Sequence, residues 1–355
     1  MTTLLAAFTL STIPYIFLAL LALLIMITIH ELGHYSVGKL LGFGIEEFSL
    51  GFGKAIFQKK LKSGEKFSIR ILPIGGYCAF VGEDRDHDDP RAFNNKKCWQ
   101  RILVLLAGVT FNFVFAMLIL GIYFTAFGYN QPLVYKTCAP VSEQTPVTFV
   151  ENDMILKVNG KYVYTSSVNT NFQKLVHDGE NVFTVVRDGN ITEIRATAAE
   201  YYYEDGDTIK TSVGFGIFVT YGAYKFNFFA SLWRGIIFCF QIIAITFSTI
   251  GSLLTGSIAV KGNLGGTITT LSLVTQSVRD YGLRAFVSLL GTMSAGIAIM
   301  NALPLPALDG SRVVFTLIEW IRGKPIKREL EGKIHFVGLI ALLVMCVVLD
   351  IINLI

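Results

Sequence analysis

Charge is scarce in this sequence. Only 16% of its 355 residues are Asp, Glu, Lys or Arg, against 52% hydrophobic, and the mean hydropathy is +0.55. A soluble protein of this length needs more charge to cover its surface, so an ordinary soluble globule is excluded and a bilayer is the expected solvent. Paired cysteines are lacking too: Cys78, Cys98, Cys138, Cys239 and Cys346 are scattered, odd in number and without CxxC spacing, which argues against a disulfide framework and a cysteine zinc site. The first apolar run has no basic n-region and no small-residue cleavage site, so it reads as a retained span and not as a removable signal peptide. Internal repeats are absent, which speaks against a transporter. A net charge of +4 selects no partner class, and no nucleic-acid partner is expected.

What is present is apolar length. Tyr15 to Gly33, Ile102 to Phe124, Leu283 to Leu303 and His335 to Leu354 each approach the ~20 residues that cross a hydrocarbon core of about 30 Å, giving four expected spans. A fifth stretch, Phe228 to Leu254, is interrupted by Arg234 and Gln241 and followed by polar residues, and it reads as a helix at the interface. Val37 to Arg101 carries twelve Lys or Arg, and Arg312, Arg322, Lys324, Lys327, Arg328 and Lys333 crowd the connection before the last span. By the positive-inside rule both face the cytoplasm, and parity then places Asn130 to Lys225 on the opposite side. That stretch alternates Val, Thr, Tyr and Ile between polar turns and reads as a small β-rich domain. Its strand leading to Asn159-Gly160, the strand Phe183 to Arg187 and the turn Asp188-Gly189-Asn190 resemble a PDZ domain.

The chemistry is concentrated in His30, Glu31 and His34, an HExxH pattern inside an apolar helix. Spacing i, i+4 puts both imidazoles on one face, where they can share a zinc ion, with Glu31 placed to act on water at the metal. In an apolar segment such groups cost about a few kcal/mol each, so a decorative role is expensive. Lys39 is the first basic residue after the motif, about 14 Å from His30 at helical rise, so the metal lies below the surface and water needs a cavity. A third ligand is sought in the stretch Asn301 to Gly310, where Pro304 and Pro306 end a span and leave Asp309 in a turn. Asp309 read alone could also cap the helix Ser311 to Ile321; beside the HExxH it is read as the ligand.

The HELGH run in the first span, NxxPxPxLDG from Asn301 to Gly310 and a PDZ-like insert between them resemble the site-2 protease family, in particular its bacterial PDZ-containing members that act in regulated intramembrane proteolysis. Gly75 to Phe80, Trp99 to Arg101 and Ala107 to Asn112 look like further family features. The resemblance implies an intramembrane zinc metalloprotease with zinc on His30, His34 and Asp309, Glu31 as catalytic base, and Asn301 and Asn112 holding substrate. It implies substrates among single-pass membrane proteins, such as anti-sigma factors or remnant signal peptides, and a multi-pass place in the bacterial inner membrane. Val109 and Ser311 depart from the family pattern without touching a proposed ligand. Pro146 to Glu151, followed by Asn152-Asp153, replaces the usual peptide-binding stretch of the insert, so capture of a peptide C-terminus is not expected there, whereas a size filter is allowed.

The expected architecture is thus a polytopic α-helical membrane protein of about four spans. Residues 1–127 hold the HExxH span, a membrane-associated β-hairpin and the second span; 128–225 form the extracytoplasmic PDZ-like domain; 226–355 carry the interface helix and the last two spans. Glu47 to Phe80 reads as strands on either side of Ser63-Gly64, and Lys66 to Leu72, with Phe67 and Ile69, is expected to offer an edge to an unwound substrate. The competing reading is a catalytically silent PDZ-bearing scaffold, which has no use for Glu31, or a metal-dependent transporter, which would more often show internal repeats.

Overall fold

The computed structural model describes residues 13–83, 87–146, 148–164, 174–206, 208–257 and 264–354. The chain divides into two compact units, Phe124–Arg234 and the remainder.

The remainder is built on helices. α1 (Ile13–Leu40) carries the HExxH motif and ends where Gly42, at φ 71, takes the left-handed turn that closes many helices. Two long strands follow, β1 (Ile45–Lys60) and β2 (Lys66–Phe80), joined by a turn at Gly64. α2 (Cys98–Phe127), α3 (Phe228–Leu254), α4 (Thr267–Ala302), α5 (Asp309–Arg322) and α6 (Arg328–Leu354) are the remaining helices. All of these helices except α5 are long and apolar enough to cross a membrane, five in number. Four were expected; apolar length alone does not separate α3 from the others. α4 begins well before the expected start at Leu283, but Gly282, with φ 60 and ψ −141, interrupts it at that point. The helices meet through small residues, as helices in lipid do. A Cβ on Gly33 would lie 2.5 Å from the Ala107 carbonyl oxygen, and one on Gly235 would lie 2.7 Å from the backbone of Met117 and Gly121. Met26 is fully buried between α1, α2 and α4, with Phe115, Phe286 and Leu290 around it. Asp350, near the end of α6, accepts from the amides of Ile268 and Thr269 and so caps the start of α4.

β1 and β2 do more than form a hairpin. Residues 47–50 are paired twice, with 76–79 on one side and with 66–69 on the other, and 66–69 are paired again with 57–60. The sheet therefore runs 76–79, 47–50, 66–69, 57–60 from edge to edge. Phe67 faces both Phe48 and Lys59, and Ile69 both Leu50 and Phe57. The strand 66–69, with Phe67 and Ile69, is therefore flanked on both sides, because β1 is long enough to wrap it, and the edges left are 76–79 and 57–60. Around the turn, Glu65 accepts from Lys39 Nζ, the Tyr35 hydroxyl and the Ser63 hydroxyl, each at 2.8 Å. Burial opposes its ionisation, yet these donors and its own backbone amide hold the carboxyl down to about 2.

The unit Phe124–Arg234 is a β structure. Its sheet has the order β10 (Ile217–Tyr224), β3 (Tyr129–Thr137), β4 (Met154–Val158), β6 (Glu180–Arg187), β7 (Asn190–Thr197), with β5 (Lys161–Tyr162) also on β4, and β8 (Ala199–Asp205) pairs with β9 (Thr208–Gly214) as a separate hairpin. Asn159 and Gly160, then Asp188 and Gly189, have positive φ at the two hairpin turns, the conformation that lets a two-residue loop match strand twist. Phe183, Val185, Ile155, Val158 and Val134 form its core. Of the stretch Pro146 to Glu151, position 147 lies outside the described residues. Asn152 sits at φ 72, so it occupies a left-handed position that glycine or asparagine suits. Asp153 is buried and held by both Arg187 Nε at 2.8 Å and Nη2 at 2.6 Å. Arg234, which seemed to interrupt an apolar helix, is buried with its guanidinium 3.2 Å from the Phe226 ring centroid and 4.9 Å from that of Tyr162.

Candidate metal centre

His30 and His34 lie one turn apart on α1, both 7% exposed, with ring centroids 4.8 Å apart and planes at 81°. Their Nε2 atoms are 3.2 Å from each other. Asp309 Oδ2 stands 2.9 Å from His30 Nε2 and 3.3 Å from His34 Nε2. Three ligands at corners of a tetrahedron about 2.0–2.1 Å from zinc would be separated by about 3.3 Å, so the three atoms already have the spacing of zinc ligands. Among the described residues this is the single group of His, Cys, Asp and Glu side chains that could hold a metal.

The protonation pattern fits as well. His34 Nδ1 is 2.8 Å from the Val104 carbonyl oxygen, an acceptor only, so Nδ1 carries the proton and Nε2 presents its lone pair to the shared point. Asp309 is the first residue of α5, preceded by Leu308 as N-cap, and no side chain caps that helix. Its carboxylate is turned to the imidazoles instead of to the α5 amides, which removes the capping alternative. Pro304 and Pro306 end α4, and Gly310 lets the next helix start against it: a Cβ there would lie 2.3 Å from the Leu303 carbonyl oxygen.

The third wall is a backbone. A Cβ on Gly108 of α2 would lie 2.5 Å from His34 Nε2 and 2.7 Å from His30 Cε1. One turn further on, Asn112 is fully buried, and neither its Oδ1 nor its Nδ2 has a partner among the described residues, while its carbonyl accepts from Ser294 Oγ at 3.0 Å. A buried amide with both ends unused calls for an explanation, and a ligand is one. Asn301 is half-buried in the last turn of α4 and is not in the wall of the cavity beside Glu31.

Glu31 points to that cavity, about 690 Å³, whose wall also includes His34, Cys78, Asp309, Arg312 and Glu331. Such a space can admit water to Glu31. The Cys78 backbone amide hydrogen-bonds Glu31, and a Cβ on Gly76 would be 3.6 Å from Glu31 Cγ. The strand beside Glu31 is therefore 76–80, the edge of the sheet, and not the strand of Phe67 and Ile69. Sequence reasoning grouped Gly75 to Phe80 as a feature without seeing this; its signal was the paired glycines 75 and 76, which let a backbone come close.

Ion pairs hold α5 in place. Arg312 pairs with Glu83, just past β2, and Glu319 with buried Arg101 at 2.6 Å. These partners were not foreseen as a set, because each pair joins residues over two hundred positions apart.

The chain matches Peptidase family M50 over residues 18–345. It is similar to a protein of Clostridium perfringens named "putative zinc metalloprotease", 28% identical over 95% of this chain and 98% of that one. Proteins of the same printed name from Clostridium acetobutylicum (28% identity, 95% of this chain and 96% of the other) and Fusobacterium nucleatum (28%, 92% and 94%) are similar along almost their whole lengths.

Proposed function

The chain belongs to peptidase family M50, the zinc-dependent site-2 protease family, and on that premise we propose that it hydrolyses peptide bonds within or near transmembrane segments of single-pass membrane proteins. The observation that carries this reading is the convergence of His30, His34 and Asp309 beside Glu31, with both histidines and the glutamate on α1, a helix apolar enough to span a bilayer. His30, His34 and Asp309 would hold the zinc ion, which would supply a Lewis acid to lower the pKa of water toward neutrality and polarise the scissile carbonyl.

The remaining work falls to the protein. Glu31 takes the proton of the attacking water and delivers it to the leaving amine nitrogen, a role that its place on the cavity wall supports. A helical substrate has its amides satisfied internally, so it must be unwound before attack. The edge 76–80 lies against Glu31 and offers main-chain groups to an extended segment. Asn112, with its unused amide, is suited to hold a substrate backbone once the helix opens. Asn301 is assigned a lesser part, at the end of α4.

The basic residues of 37–101 and of the connection before α6 support a cytoplasmic position for that side of the bundle, in a bacterial inner membrane. The same charge parity supports four crossings, with α3 at the interface, and an extracytoplasmic unit, whose hairpin turns at Asn159-Gly160 and Asp188-Gly189 support the PDZ type. Anti-sigma factors and remnant signal peptides are the substrate kinds proposed.

The test is cleavage of a single-span substrate by purified protein in detergent, with bound zinc measured, for wild type and Glu31→Gln. Wild type should cut, and the variant should keep its zinc and lose at least about a hundredfold in rate. Zinc in both with no cleavage by either, over a broad substrate panel, would turn the reading to a silent scaffold.

A further inference from the structure

Ala307 stands two residues before Asp309 with φ 74, a left-handed conformation that a residue bearing a Cβ avoids. Its amide closes no helical turn. It donates to Nδ1 of His335, 3.0 Å away on α6. Since that nitrogen accepts, the proton of the neutral ring is on Nε2, which faces Glu331 Oε1 at 3.8 Å, one turn back on α6. The ring also meets Phe315 of α5 edge-on, with centroids 5.5 Å apart. The imidazole is thus oriented from two sides and presents one acceptor to one strained amide. Next to it, Gly338 lets α6 come up to the bend: a Cβ there would lie 2.2 Å from Pro306 Cβ.

We infer that His335 is a positioning residue for the third metal ligand: by accepting the Ala307 N–H it holds the left-handed bend that turns the Asp309 carboxylate toward His30 and His34. The inference rests on the reading of Asp309 as a ligand. Without that acceptor, the cost of φ 74 at an alanine is left to the turn Leu305 to Leu308 alone, closed by the Leu308 amide on the Leu305 carbonyl at 3.2 Å, and the bend relaxes toward conformations that swing Asp309 off its 2.9 Å and 3.3 Å distances. The last span thereby becomes part of the metal centre although it contributes no ligand. The position of α6, a helix that buries few of its own side chains, sets how firmly zinc is held.

Two polar substitutions of His335 separate this role from general packing. His335→Asn places an amide oxygen where Nδ1 was, so it keeps the acceptor; His335→Gln places its oxygen near the former Nε2 and loses it. Zinc affinity of the full chain in detergent, by competition with a chelator, and the absorption spectrum of the cobalt(II) form are the readouts. The Gln variant should bind zinc about tenfold to a hundredfold more weakly and show an altered cobalt spectrum, while the Asn variant stays near wild type. Ala307→Gly added to His335→Gln should recover part of the loss, because glycine adopts the bend unaided. Equal affinities for the Asn and Gln variants, or no recovery with glycine, overturn the inference. Asp309→Ala measured alongside keeps the two readings apart: wild-type affinity there sinks the ligand assignment itself, whereas its loss together with an unaffected Gln variant sinks only the role of His335.

Discussion

Gly108 meets His34 with backbone alone: a methyl group on its α-carbon would stand 2.5 Å from the Nε2 that faces Asp309. The room for zinc is made by a missing side chain on a neighbouring helix. Gly108→Ala should therefore lower bound zinc and cleavage together, with zinc affinity falling by about tenfold or more, since the imidazoles must turn to admit the methyl. Metal analysis of purified protein checks it; full zinc occupancy in the variant would show that the helices can part.

Asn112 is held fully buried with its amide unused, which is a cost to the resting protein. Replacing it with Leu removes that cost and should leave the protein as stable as before or more so. If Asn112 grips a substrate backbone, cleavage should fall by about tenfold to a hundredfold with zinc unchanged. Thermal unfolding and kcat/KM measured on one preparation decide it, and a fully active, more stable variant would leave the asparagine without a catalytic reason.

The acid side of stability should trace to Glu65. Its folded carboxyl sits at about 2, below the ordinary glutamate value of about 4.3, so its stabilising effect is complete above that value and disappears as pH falls toward 2. Unfolding temperatures of wild type and Glu65→Gln, compared at pH 6 and pH 3, should differ most at the first and by about half as much at the second. A constant difference between them would place the effect elsewhere.

In the β unit, Arg187→Ala leaves the buried Asp153 carboxylate without its two-pronged partner. Destabilisation of about 3 kcal/mol is expected, read as a shift in denaturant midpoint or as faster proteolysis of Phe124–Arg234. Asn152→Gly, one residue away at φ 72, should change little.

Much of the centre could be read in the sequence because its geometry is local. His30 and His34 share a face by helical spacing, and Pro304 and Pro306 end a span and force a turn before Asp309, so residue types and period already point to the three side chains that the fold brings together. The sheet was less legible. Phe67 and Ile69 lie on a strand with good alternation, but alternation does not say which neighbours a strand has, and only the double pairing of 47–50 put them inside and left 76–80 at the edge. His335 and Glu83 act across the fold on Ala307 and Arg312, and no local pattern marks such partners.

The order in which these pieces leave the ribosome matters too. His30, Glu31 and His34 emerge early, in the first helix, but Asp309 and the His335 that steadies its bend come late in the chain. A half-made chain inserted in the membrane can therefore carry the HExxH helix without a complete cutting site.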